Sequence, residues 1–230
     1  MLKEKIIIIG TGQHARMLVE LIEEQNKFSI LGFVSKTNEI KKKILNYPII
    51  CEEKSLKKFL KKNKKVRCYA CGVGDNSGGM LGRKKILNYY DKILFAPKII
   101  SPRAYISKYS KIGKGTIVEA FAKVMNGAKI GKHCMIESFT AVNHDQKIGS
   151  NVFIGNNCAL AGKEIGSNCI IGDGSSIGYK VIVGQNSIIN QGTTVNKDLK
   201  KNSIAYGYPL KILKNNKIFI DAIKRKKNSI

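Results

Sequence analysis

Ile100, Ile106, Ile112, Val118, Val124, Ile130, Ile136, Val142, Ile148, Ile154 and Leu160 place an aliphatic residue at every sixth position. After a slip of one residue the count resumes through Ile165, Ile171, Ile177, Val183, Ile189 and Val195. A helix repeats every 3.6 residues and a strand every 2, so a strict period of six belongs to a repeating coil. The fold it predicts is a hexapeptide-repeat parallel β-helix. Gly follows the aliphatic residue in Ile112-Gly113, Ile130-Gly131, Ile148-Gly149, Ile154-Gly155, Ile165-Gly166 and Ile171-Gly172, where it suits a tight corner. Four residues after each aliphatic stands a mostly small side chain, among them Ala104, Ala122, Cys134, Thr140, Cys158, Cys169 and Ser187. A narrow prism takes one large and one small inward residue per face. Three hexads make one triangular coil, coils stack at about 4.8 Å, and the seventeen hexads give between five and six coils. One hexad cannot bury its aliphatic residue alone, so the stack is the folding unit.

The first ninety-odd residues read differently. Residues 5–9 form a short buried strand, and Gly10-Thr11-Gly12-Gln13-His14-Ala15 then opens an amphipathic helix carrying Met17, Leu18, Leu21 and Ile22. This G-x-G-x-x-A turn lets backbone approach a phosphate or polar ligand at the positive end of a helix. A second strand over residues 30–34 completes a βαβ unit. A dinucleotide site needs an acidic residue at the end of that strand to hold a ribose, and Ser35-Lys36-Thr37 stands there, so NAD is not expected. A helix over 54–62, a strand ending at Cys71, a loop Gly72-Val73-Gly74-Asp75-Asn76 and a helix over 83–90 complete a small α/β layer, and Phe95-Ala96-Pro97 marks the junction. The expected domains are 1–96, 97–212 and a basic C-terminal tail at 213–230.

Composition narrows the class. An apolar content of 43% fits a globular protein of one or two domains, and the run Ile6-Ile7-Ile8-Ile9 is far too short for a signal or membrane-spanning segment. A cytoplasmic protein with no membrane insertion is expected. Cys134, Cys158 and Cys169 occupy small inward slots as compact hydrophobes, and Cys68-x-x-Cys71 lies in a strand with no second ligand pair, so free thiols and no metal are expected. The net charge of +25 comes from lysines spread along the chain, without an aromatic stacking platform or a nucleic-acid module, and no nucleic-acid partner is expected. The densest basic run, Lys224-Arg225-Lys226-Lys227, reads as a solvated end.

The combination resembles the hexapeptide-repeat sugar acyltransferases of the sialic acid O-acetyltransferase type, including bacterial UDP-4-amino-sugar N-acetyltransferases. The residues that carry the resemblance are Gly10-Thr11-Gly12-Gln13-His14, Asn143-His144-Asp145 and Gly207-Tyr208-Pro209-Leu210-Lys211. It implies a Rossmann-like domain on a left-handed β-helix, a homotrimer with sites shared between chains, and acetyl-CoA as co-substrate. It further implies an acceptor, a sugar or nucleotide sugar, held by Gly10, Gly12, Gln13, His14, Ser35, Lys36 and Gly74. The same resemblance assigns Phe153, Gly162, Gly207, Pro209 and Lys211 to the CoA side.

Acetyl transfer needs a base, and histidine suits neutral pH. His144 follows the inward Val142 in a hexad whose small slot holds Gln146, a departure of the kind that marks sites. On the motif His144 is the expected general base, and Asp145 resembles the acidic partner that in the family orients the imidazole. Relatives carry a second histidine nine residues on, where this chain has Phe153; His133 is expected to be an exposed corner residue. A zinc site of the carbonic anhydrase type needs three histidines in the repeat, which holds two. The first choice of acceptor is a UDP-linked 4-amino-4,6-dideoxy sugar; the alternatives are a sialic-type acid hydroxyl and, last, a non-catalytic sugar-nucleotide-binding trimer.

Overall fold

The computed structural model describes residues 3–37, 42–74 and 79–213; the basic run at 224–227, together with Asp75 and Asn76, lies outside them. The first domain is a sheet of five strands, β1 (Glu4–Ile9), β2 (Phe28–Ser35), β3 (Lys43–Ile44), β4 (Tyr47–Glu52) and β5 (Val66–Cys71), in the order β3-β4-β2-β1-β5. All neighbours are parallel except β3 with β4. The helices are α1 (Gln13–Gln25), α2 (Leu56–Lys62) and α3 (Gly79–Tyr90). Ile6 and Ile8 pack towards α1, and Ile7 and Ile9 pack in the cluster that holds Leu56 of α2 and Leu87 of α3. That two-sided burial is why β1 reads as an unbroken run of isoleucine. Cys68 and Cys71, three apart on β5, fall in the two opposite clusters and cannot chelate one ion together.

From Ile99–Ile100 to Thr194–Val195 run seventeen two-residue strands, one for each hexad, in three parallel stacks. Face A begins at Ile99, face B at Tyr105 and face C at Lys111. The periodic aliphatics form one core from Val118 to Val195, with Ala122, Cys134, Cys158 and Cys169 in the small slots. All six cysteines are free and buried. A seventh turn opens with Ile204–Tyr206, against which Lys211–Leu213 pairs antiparallel.

The glycines after the aliphatic residues are there for a different reason than a tight turn. A Cβ at Gly113 would lie 2.5 Å from the Gly131 carbonyl oxygen, and one at Gly131 would lie 2.6 Å from the Gly149 backbone. They are needed because the next coil passes so close. The left-handed corner residue falls three after the aliphatic, at Gly115, Phe121, Gly127, His133, Phe139, Asp145, Asn151, Asn157 and Asn168. The corner after Leu160 has none and is one residue shorter, which is the slip seen in the sequence; the first two corners, after Ile100 and Ile106, also lack one at the full spacing.

The two domains pack through face A. Its outward residues Ile99, Ile117 and Met135 are buried in the same cluster as Leu18 and Ile22 of α1, and Phe153 packs against its edge. The matching positions on face C are Lys111, Lys129 and Lys147, which are exposed.

Candidate active site

A cleft of about 830 Å³ opens between the first domain and face A. The Gly10–His14 turn forms one wall with Met17 and Lys36, residues 72–74 form the floor, and Glu119, Met135, Glu137 and Phe153 face them from the prism. Gly10 has φ +96°, and Gly72 comes so near α1 that a Cβ there would lie 2.5 Å from that of Ala15. At Gly12 and Gly74 an added Cβ would meet nothing within 4 Å. The two glycines thus leave open space at the N-terminus of a thirteen-residue helix, where unpaired backbone N–H groups favour an anion.

His14 lies in this wall. Burial, and then the nearby Arg83 guanidinium, push its imidazole down to about 4, so it is neutral at physiological pH. Its Nε2 is buried and makes no hydrogen bond with the described residues. Across the cleft Glu119 Oε2 accepts from Ser138 N at 3.1 Å and Ser138 Oγ at 2.9 Å. Burial nevertheless pushes its carboxyl above the usual range, with the Ser138 bonds acting in the opposite sense. Glu137, one coil on, accepts from Asn156 Nδ2 at 2.8 Å. In a chain of net charge +25 the charged lining is Lys36 against Glu53, Glu119 and Glu137, so the cleft is locally acidic.

Most of the expected acceptor residues meet here: Gly10, Gly12, Gln13, His14, Lys36 and Gly74 all line the cleft. Ser35 does not; it is buried at the end of β2, where its Oγ accepts from Thr37 N at 3.2 Å and shapes the turn. Phe153 lines this cleft from the prism, beside Met135 and facing the Gly10–His14 turn. The sequence reading missed Glu53, Glu119 and Glu137. For the last two a signal existed: both follow an inward aliphatic, in the slot where glycine usually falls, eighteen residues and therefore one coil apart.

His144 lies elsewhere, on the corner between faces B and C, and is not part of the cleft lining. Its Nδ1 pairs with Asp145 Oδ2 at 2.9 Å, and the two side chains are 64% and 78% exposed. Asp145 is the left-handed residue of that corner, its N–H donating to Asn126 O at 3.0 Å while its side chain lies over Gly127. With Nδ1 held by the carboxylate, Nε2 is left to face solvent. Gln146, directly inside, is buried with neither amide atom bonded to a described residue. Above it the shortened corner brings in Gly162, whose added Cβ would lie 3.5 Å from Gln146 Nε2 and 2.8 Å from the Val181 carbonyl oxygen. Gly207 (φ +77°), Pro209 and the exposed Lys211 lie together at the top of the prism.

His133 is a correction. The sequence suggested an exposed corner, but the ring is buried where the first domain meets the prism, with Nε2 3.0 Å from Asp91 Oδ2. Asp91 also accepts from Tyr69 Oη at 2.7 Å and pairs with Lys114 at 2.8 Å. Burial holds His133 below its ordinary value although Asp91 pulls the other way. Among the described residues no group of His, Cys, Asp and Glu is arranged to hold a metal ion.

Residues 5–89 match the PglD N-terminal domain family, and residues 109–144 and 127–162 match the bacterial transferase hexapeptide (six repeats). The chain therefore joins a PglD-type domain to transferase-type hexapeptide repeats. No curated protein sequence matches it. Among solved structures it is similar to a perosamine N-acetyltransferase variant from Caulobacter crescentus in complex with CoA and GDP-perosamine, at TM-score 0.82 and 24% identity, over 92% of this chain and 97% of that one. It is similar also to the acetyltransferase domain of PglB from Neisseria gonorrhoeae, at TM-score 0.80 and 24% identity, over 92% and 100% of the two chains. A third is WeeI from Acinetobacter baumannii, at TM-score 0.77 and 20% identity, over 91% and 100%. At these identities the likeness establishes the fold.

Proposed function

We propose that this chain, a PglD-type domain on a hexapeptide-repeat prism, is an acetyl-CoA-dependent N-acetyltransferase acting on a nucleotide-linked amino sugar. One observation carries the reading: an imidazole held at Nδ1 by a carboxylate, with Nε2 free, on an exposed corner of a transferase-type repeat. The Caulobacter protein of the same fold binds CoA and GDP-perosamine, and the gonococcal PglB domain binds acetyl coenzyme A, which supports the donor and the acceptor class.

The local acidity of the cleft supports the amine acceptor. A nucleoside diphosphate fits the open glycine turn at the start of α1, which places the sugar towards face A. There Glu119 and Glu137 favour an ammonium group and disfavour the carboxylate of a sialic-type acid. The amine is thus preferred over the hydroxyl acceptor. The turn would contact the diphosphate, which UDP and GDP share.

The bound ammonium gives one proton to solvent, and His144 Nε2 takes the second as the neutral amine attacks the thioester carbonyl carbon. Asp145 stabilises the imidazolium that results, which is the stage at which the pair matters most. The carbon–sulfur bond then breaks, and the proton on His144 is available to the departing thiolate. Acetyl-CoA, when bound, supplies the activated acyl group. Gly162 fits the donor side, because it lies against the corner that carries His144 and no side chain fits there. Gly207, Pro209 and Lys211 are proposed to hold the rest of CoA.

Because His144 does not line the cleft of its own chain, the reading requires a homotrimer in which the His144 corner of one copy meets the cleft of the next. The test is thiol release from acetyl-CoA with UDP- and GDP-linked 4-amino sugars and with sialic-type acids. Release with the amino sugars alone supports the proposal; release only with the acids refutes the acceptor, and silence with all of them refutes the activity.

A further inference from the structure

Among the described residues Arg83 heads the large side chains that are fully buried, at 0% exposure, and it has no ion-pair partner there. A guanidinium in such a place costs several kcal/mol unless its donors are used, and apolar packing alone would be met at less cost by a methionine or leucine. Its Nε and Nη1 donors reach across the molecule, while Nη2 is buried and makes no hydrogen bond with a described residue. Nε donates to Val73 O at 2.8 Å, and Nη1 donates to His133 O and to Asn151 Oδ1, both at 2.7 Å. The first acceptor belongs to the floor of the cleft and the other two to one corner of the prism. Asn151 returns the connection, donating from Nδ2 to Met80 O of α3 at 2.7 Å and to Asn168 Oδ1 at 3.1 Å. From there an asparagine ladder continues through Asn186 to Asn202, so the corner is itself a rigid anchor.

The start of the floor is tied to β1, where Gly72 N donates to Ile9 O at 2.8 Å, but apart from Arg83 the Val73 carbonyl has only the weak Cys71 Sγ contact at 3.8 Å among the described residues. Residues 72–74 contain two glycines, and Val73 Cγ2 would lie 3.1 Å from a Cβ on Gly10, at the turn where the acceptor's phosphates are proposed to sit. A displacement of Val73 therefore presses on that turn or withdraws support from it. Resting on the function proposed above, we propose that Arg83 is a positioning residue for the acceptor: it fixes the Val73 carbonyl to the prism and so sets the shape of the glycine cradle. The proximity of its charge to His14, which helps keep that imidazole neutral, is consistent with this placement.

The test uses Arg83→Lys, Arg83→Met and Asn151→Ala in the full chain. In each folded variant the acceptor KM rises about tenfold or more, while kcat and the acetyl-CoA KM change less than about threefold, and Arg83→Lys recovers part of the loss. The double variant Arg83→Lys/Asn151→Ala loses little beyond Arg83→Lys, because both act through one connection. A lowered melting temperature with an unchanged acceptor KM overturns the proposal. Should Arg83→Met not fold, Arg83→Lys and Asn151→Ala carry the same comparison. Two readouts do not depend on turnover: calorimetric affinity for UDP and GDP, and the NMR signal of the His14 imidazole in a chain with only three histidines. If the parent acetylates no amino sugar yet Arg83→Lys weakens nucleotide binding or shifts the His14 signal, the transfer reading fails and the role of Arg83 stands. Unchanged nucleotide affinity and an unchanged His14 signal overturn it whatever the activity.

Discussion

Replacing His144 by alanine separates chemistry from folding, because the structure gives that side chain so little else to do. It is 64% exposed, with a single bond to an exposed Asp145, so its loss costs no more than about 0.5 kcal/mol of stability. Loss of a general base lowers kcat by about 10² to 10⁴-fold, which is about 3–5 kcal/mol of transition-state stabilisation. The partner variant is Gly12→Leu. Its backbone is in the ordinary extended region and a Cβ there meets nothing within 4 Å, so leucine is tolerated by the fold while filling the glycine cradle. Each variant alone is inactive. Co-expressed with different tags and purified as mixed trimers, they recover activity, because the cleft of a His144→Ala chain can meet His144 of a Gly12→Leu neighbour. In a cyclic trimer that holds both variants one of the three interchain sites, about one third, pairs that way. Thiol release near that fraction of the parent rate is the expected result. Mixed trimers no better than the separate variants would show that base and cleft do not come from different chains, and the shared-site reasoning would be refuted.

Glu119→Gln raises the KM for the amino sugar by about tenfold, since a paired charge in a partly buried cleft is worth about 1–2 kcal/mol; an unchanged KM would remove the carboxylate from acceptor recognition. The same variant melts no lower than the parent at pH 7.5. The Glu119 carboxyl is raised above its unfolded value of 4.5, so the native state holds that proton more tightly, stability is lost as pH rises through the shift, and glutamine escapes the loss. His14 behaves oppositely to a gained-partner histidine. Its folded value is lowered to about 4, so its contribution is constant above the unfolded value of 6.5 and declines as pH falls towards 4, by about 3 kcal/mol at most, less in proportion to residual solvation; a His14 NMR midpoint between pH 6 and 7 contradicts this. Burial pushes the Cys51 and Cys134 thiols up to about 11 and Cys68 and Cys169 up to about 12, so Ellman's reagent finds no fast-reacting thiol in the native protein, and one rapid equivalent would show a more open core. Gly131→Ala lowers stability by about 1–3 kcal/mol in denaturant unfolding, because its methyl would stand 2.6 Å from the next coil; an unchanged midpoint would mean that the stack can spread.

The coil was legible because its rule is local and repeated: each hexad needs one large and one small inward residue, and the seventeen aliphatics became seventeen strands. The glycine turn and His144-Asp145 were legible for a similar reason, since each lies within a few consecutive residues. The domain interface was written in the sequence less openly. Ile99, Ile117 and Met135 occupy the outward slot that holds lysine on face C, a contrast visible only once the residues are sorted by face. Arg83 and His133 were hidden altogether, because the prism partners of Arg83 lie 50 or more residues away and Asp91 lies 42 residues from His133, and no pattern along the chain brings them together.

The separation of cleft and base follows from the geometry of a three-faced prism. The first domain needs an apolar surface, and the isoleucines and Met135 of face A give it one, so the cleft forms between that face and the glycine turn. A base on face A would have to replace the side chains that hold the domains together. His144 is on a corner away from that interface, at the coil where Gln146 and the shortened turn at Gly162 already depart from the hexad rule. In the trimer proposed above, one copy would hold the acceptor against its own face A and the next copy would present the imidazole. The requirement for a second copy thus arises from where the apolar residues of the hexads fall.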